Sequence, residues 1–102
     1  MAQILNSDTT SAAARRSAFE IRMDILRVAA EGCTKPTLIM YQSNTSWIVL
    51  RKNLEALIAA GFMVESVIGS RTAYSITDKG VGVLRAYRNL VYLTSSSTTT
   101  QD

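Results

Sequence analysis

The chain has 102 residues, 47% of them hydrophobic, which is enough apolar material for one core in a single domain. Eleven basic against eight acidic side chains leave a net charge of +3 and a pI near 9.4, a balance that favours polyanionic partners without demanding them. Histidine is absent, the carboxylates Asp24, Glu31, Glu55, Glu65 and Asp78 fall at no paired or metal-ligand spacing, and the glycines form no phosphate-cradling motif, so neither an enzyme nor a cofactor is expected.

Residues 1 to 14 are rich in Ser, Thr and Ala and short of large apolar groups after Leu5, the composition of a disordered arm. They lack the basic-then-apolar pattern of a leader peptide, and no apolar run approaches the roughly 18 residues of a membrane span, so the sequence reads as cytoplasmic. Ser17 followed by Glu20 has the form of a capping box and predicts a helix start, with Arg15 and Arg16 either preceding the helix or extending it by a turn. Ile21, Ile25 and Ala29 recur at four-residue spacing with Leu26 beside them, which marks the buried side. Glu20, Arg27 and Glu31, with Arg22 and Asp24 near the edges, form a solvated side, and Gly32 can end the helix. Cys33 cannot form an internal disulfide and is expected as a buried or half-buried reduced thiol. With Thr34 it makes a link long enough for a minimal strand pairing with the later hairpin.

Lys35-Pro36 opens a second helix, because proline is pre-set for the first turn, and Leu38, Ile39, Met40 and Tyr41 carry it to about Ser43. A third helix spans Asn44 to Gly61. Asn44 or Thr45 can cap it, and Gly61 can end it. Trp47, Leu50, Leu54, Leu57 and Ile58 gather on a buried side. The opposite side carries Thr45, Val49, Lys52, Asn53 and Ala56, with Arg51 and Glu55 on one flank. That face is either merely solvated or shaped for a DNA groove. Two helices joined by Gln42 to Thr45 make a helix-turn-helix arrangement.

Beyond Gly61 the period shifts to two. Phe62 to Val67 and Thr72 to Thr77 read as strands joined by Ile68-Gly69-Ser70-Arg71, a β-hairpin with one packed and one wet face. A hairpin directly after the third helix is the order of a winged helix-turn-helix, with Arg71 the only charge in the wing tip. Thr77 and Asp78 restart a helix that runs to about Leu93. Leu84, Tyr87 and Val91 are expected on the core. Val83, Leu90 and Leu93 face water and suit a homodimer contact, unless the arm or the first helix covers them. Residues 94 to 102 lack any anchoring group and read as a disordered tail.

The segments R-R-S-A-F-E-I-R-M-D-I-L-R from Arg15, K-P-T-L-I-M-Y-Q-S-N-T-S-W from Lys35, L-E-A-L-I-A-A-G-F from Leu54 and R-T-A-Y-S-I-T-D-K-G from Arg71 together resemble the archaeal winged-helix transcriptional regulators. They are most similar to the small chromatin-associated type in which a dimerising helix follows the wing. The resemblance covers residues 15 to 93 and implies a mainly α, dimeric, double-stranded DNA-binding protein of the nucleoid. The third helix would lie in the major groove and the wing on the backbone or minor groove. Lys35, Thr45, Ser46, Val49, Lys52, Asn53 and Arg71 would make the contacts, with Arg15, Arg16 and Arg51 adding less specific attraction. Asn53 is the residue best able to read a base, since its amide can pair with adenine. Ending near Leu93, the last helix is short for the antiparallel coiled coil common in that family. The third helix itself carries only +1, from Arg51 and Lys52 against Glu55, and Ile48 and Val49 lie among its exposed positions. They suit thymine methyls or, alternatively, a protein-binding face, the surface of an adaptor in a transcription or replication assembly.

Overall fold

In the computed structural model, which describes residues 16–100 with side chains through Ser95, the first element is α1 (Ala18–Ala30), and it begins where the capping box places it. The Ser17 hydroxyl accepts from the Glu20 N–H at 3.0 Å, and the Glu20 carboxylate accepts from the Ser17 N–H at 3.0 Å. The N-terminal arm of residues 1–14, Arg15 and residues 101–102 lie outside the described residues. Arg16 precedes the helix. Its guanidinium pairs with Asp24 and donates to the carbonyls of Ser43 at 3.0 Å and Asn44 at 2.7 Å, so it ties the chain start to the turn before the third helix. Ile25, Leu26 and Val28 of α1 are fully buried, and Gly32 takes a φ of 104° just past the helix end.

Thr34 contributes one bond to the sheet, its carbonyl accepting from the Tyr74 N–H at 2.9 Å, rather than a third strand. Cys33 beside it is half-buried and reduced. α2 (Pro36–Gln42) has Lys35 at its N-cap and buries Ile39, with Met40 partly buried against the core beside it. The turn that follows uses Asn44 at a φ of 57° and ends in Ser46, whose hydroxyl accepts from the Val49 N–H at 3.2 Å. Ser46, and neither Asn44 nor Thr45, therefore caps α3 (Trp47–Ala59). Asn44 is committed to the left-handed turn, and the Thr45 N–H is bonded back to the Met40 carbonyl at 3.1 Å. Leu50, Leu54 and Leu57 fill the core beneath α3.

β1 (Met63–Ile68) and β2 (Arg71–Ile76) pair antiparallel from Met63↔Ile76 to Ile68↔Arg71. The loop is only Gly69-Ser70, tighter than the expected four residues, because Gly69 at a φ of 66° supplies the positive φ that a two-residue turn needs. Arg71 is thus a strand residue opposite Ile68. Met63, Tyr74 and Ile76 pack on the core, while Val67 and Ile68 overhang it and are exposed.

α4 (Asp78–Thr100) is clasped to the end of α3. Thr77 accepts from the Gly80 N–H at 3.0 Å and donates its hydroxyl to the Gly61 carbonyl at 2.7 Å, while its N–H donates to Phe62 at 3.0 Å. Lys79 donates to the Ala60 carbonyl at 3.0 Å with its ammonium 5.2 Å from the Phe62 ring centre. Gly80 lies so close that a Cβ there would stand 2.2 Å from the Phe62 carbonyl oxygen. Leu84 is buried, and Tyr87 meets Phe19 of α1 edge-on at 5.4 Å.

Three expectations for this helix are corrected. Val83 packs against the core instead of facing water, and Val91 is exposed together with Leu90, Tyr92 and Leu93. The reason is that Phe19 is the second residue of α1, so α4 beyond Tyr87 runs past the end of the bundle. The helix also continues through Thr94 to Thr100 where a disordered tail was expected. An established helix extends at little cost, and Thr94 donates its hydroxyl to the Leu90 carbonyl at 2.8 Å instead of competing with the backbone. Among the described residues, no helix is long and apolar enough to cross a membrane.

Candidate nucleic-acid interface

Helical periodicity places three large residues of α3 inward, and what they leave outside is Trp47, Ile48, Arg51, Lys52 and Glu55. The exposed face is thereby turned about 100°, one residue step, from the face expected to carry Val49, Asn53 and Ala56. Trp47, expected in the core, is 46% exposed at the first turn.

Asn53 accounts for much of this rotation. It is 5% exposed: its carbonyl accepts from the Arg22 Nε–H at 2.9 Å, and its amide donates to the Val49 carbonyl at 2.8 Å. It therefore joins α1 to α3 and offers no edge to a base, contrary to its expected role. Val49 is half-buried. Thr45 is half-buried in the preceding turn with its hydroxyl 3.0 Å from that of Ser43. Ser46, Arg51, Lys52, Lys35 and Arg71 are all exposed. Arg51 pairs with Glu55 at 3.4 Å on the same face, whereas Lys35, Lys52 and Arg71 have no ion-pair partner among the described residues.

Between α3 and the hairpin runs a groove of about 360 Å³, bordered by Pro36, Trp47, Arg51, Glu55, Thr72 and Tyr74. Lys35, Lys52 and Arg71 do not line it; each is the chain neighbour of a bordering residue, Pro36, Arg51 and Thr72 respectively. Inside it the Tyr74 hydroxyl donates to the Glu65 carboxylate at 3.3 Å. Burial, reinforced by that carboxylate, pushes the Tyr74 hydroxyl above the usual phenol range. No cluster of three potential metal-ligating side chains occurs among the described residues.

Two surface features were not singled out from the sequence. Tyr41 is 81% exposed at the end of α2; it lies two residues, about 200°, from the buried Ile39, and that spacing was the available signal. Arg85 and Arg88 are exposed on α4. Arg16 is engaged within the fold as described.

A winged helix-turn-helix family model matches residues 15–95. No curated protein matches the chain. Among solved structures, the DNA-binding protein Sso10a-2 of Sulfolobus solfataricus is 25% identical with a TM-score of 0.68, over 84% of this chain and 90% of that one. BpsR of Bordetella bronchiseptica, whose DNA binding is regulated by 6-hydroxynicotinic acid, is 13% identical with a TM-score of 0.69, over 76% of this chain and 58% of its own. ZitR of Lactococcus lactis, a zinc-responsive MarR family member solved in complex with DNA, is 21% identical with a TM-score of 0.63, over 78% and 56%. The last two share the fold, and the chain spans little more than half their length.

Proposed function

The chain belongs to the winged helix-turn-helix family, and on that premise we propose that it binds double-stranded DNA as a homodimeric transcriptional regulator or minor chromatin protein of the cytoplasm, at the nucleoid. Family membership makes it a non-enzymatic protein of the DNA-binding regulator type. In this reading α3 enters the major groove and the hairpin lies on the backbone or minor groove. Lys35, Ser46, Lys52 and Arg71 contact phosphates, with Arg51 and Thr45 adding to them. Asn53 and Val49 leave the contact set, because the first is buried and bonded to α1 and the second is half-buried. Leu90 and Leu93, joined by Val91 and Tyr92, form the dimer contact; Val83 leaves it for the core.

The observation that carries this reading is the exposure of Lys35, Lys52 and Arg71, at the start of α2, on α3 and in the wing, none with an ion-pair partner among the described residues. DNA-bound solved structures of the same fold support it. Neutralising about three to five phosphates per subunit gives a log-affinity slope against log salt of roughly −0.9 for each contact. Fluorescence anisotropy on a random-sequence duplex at several salt concentrations tests it, with the Lys52→Ala, Arg71→Ala double variant alongside. A steep slope that flattens in the variant is expected, and binding indifferent to salt counts against DNA.

A protein-contact adaptor is the second reading, favoured by the exposure of Ile48 and Tyr41. It requires complex formation that survives the double substitution.

A further inference from the structure

We infer that α3 reads the 5-methyl group of pyrimidines, thymine above all, through Ile48. The inference rests on the DNA-binding reading and names what the major-groove surface recognises. Bidentate hydrogen bonds to base edges come most often from arginine or lysine on guanine and from asparagine or glutamine on adenine. The exposed face of α3 offers only Arg51 and Lys52 for this. Asn53, the only amide of the helix, is buried with both its polar atoms engaged. The Arg51 guanidinium shares its charge with Glu55 at 3.4 Å. Lys52 is a point charge on a flexible stem, a common phosphate binder without the fixed fork of arginine.

Ile48 remains. It is the second residue of α3, in the N-terminal turn that approaches base edges in helix-turn-helix docking, and it is 78% exposed. Trp47, Arg51, Lys52 and Glu55 border one shallow concavity with it, so its butyl group lies beside the Trp47 ring among three charged side chains. Folding does not explain an isoleucine there. It buries little surface, and β-branching lowers helix propensity. The thymine 5-methyl is the apolar feature of the major groove, and a cytosine methylated at the same carbon presents the same group.

The full chain is titrated by fluorescence anisotropy, at one low salt concentration, into an AT-rich duplex made in three forms. One carries thymine, one carries deoxyuridine at every thymine, and one carries thymine with 5-methylcytosine at every cytosine. Wild type and Ile48→Ala are compared, and circular dichroism melting checks that the variant, altered only at an exposed position, is folded. The uracil duplex is expected to bind wild type about fourfold more weakly for each contacted methyl lost. The methylcytosine duplex should bind more tightly than its unmethylated counterpart, and both differences should vanish in Ile48→Ala. Equal wild-type affinity for the thymine and uracil duplexes, or a difference that persists in Ile48→Ala, overturns the inference and leaves DNA binding standing. No binding to any of the three overturns the inference and the function beneath it.

Discussion

Asn53 and Lys52 are neighbours in sequence with opposite duties, and substitution separates them. Asn53→Ala removes a buried acceptor from Arg22 and is expected to cost about 1–3 kcal/mol in urea unfolding, with the salt slope of DNA binding unchanged. Lys52→Ala should leave stability within about 0.5 kcal/mol and make the slope shallower by about 0.9. Helical spacing could not distinguish these roles. Asparagine is seldom buried, and what buries it here is an arginine 31 positions away, a partner that no local pattern discloses. Tyr74 carries the pH dependence. Its folded state holds the neutral phenol, and its hydroxyl ionises above the value near 10 of the unfolded chain. The associated stability is therefore complete below about pH 10 and is lost as pH climbs through the raised folded value. Urea unfolding between pH 9 and 11 should show that loss in wild type and a smaller one in Tyr74→Phe.

Element boundaries were legible where one residue type had one available use. The Ser17–Glu20 pair and Pro36 each specify a local geometry regardless of what packs around them. The start of α3 was ambiguous because Ser43, Asn44, Thr45 and Ser46 can all cap a helix, and only the left-handed turn at Asn44 decides among them. The end of α4 was misjudged for a related reason, since the Ser and Thr run from Thr94 has low helix propensity but is appended to a helix already formed. The exposed face of α3 fell between these cases: its amphipathic period was evident, while its rotation depended on α1. Where β1, β2 and α4 converge, Gly80→Ala should cost about 1–3 kcal/mol by thermal or urea unfolding, because the clash is with the Phe62 carbonyl and not with a flexible side chain.

Across the whole molecule, two elements project beyond the core: the hairpin tip at Val67 and Ile68, and α4 past Tyr87. The apolar stretch of α4 was visible from the sequence, and only the reach of α1 decided which of its residues lay uncovered. Replacing Leu90 and Leu93 together by glutamate is expected to lower the sedimentation-equilibrium mass from twice 11.2 kDa to the single-chain value. The clasp of Thr77 and Lys79 on the last carbonyls around α3 leaves almost no slack between the helix proposed to read DNA and the helix proposed to pair. In a dimer joined through α4, the two reading helices behave as the jaws of a caliper with a stiff spine. Their separation and relative twist are set where the two α4 helices cross, and overwinding or bending of the duplex between half-sites loads that crossing as torque.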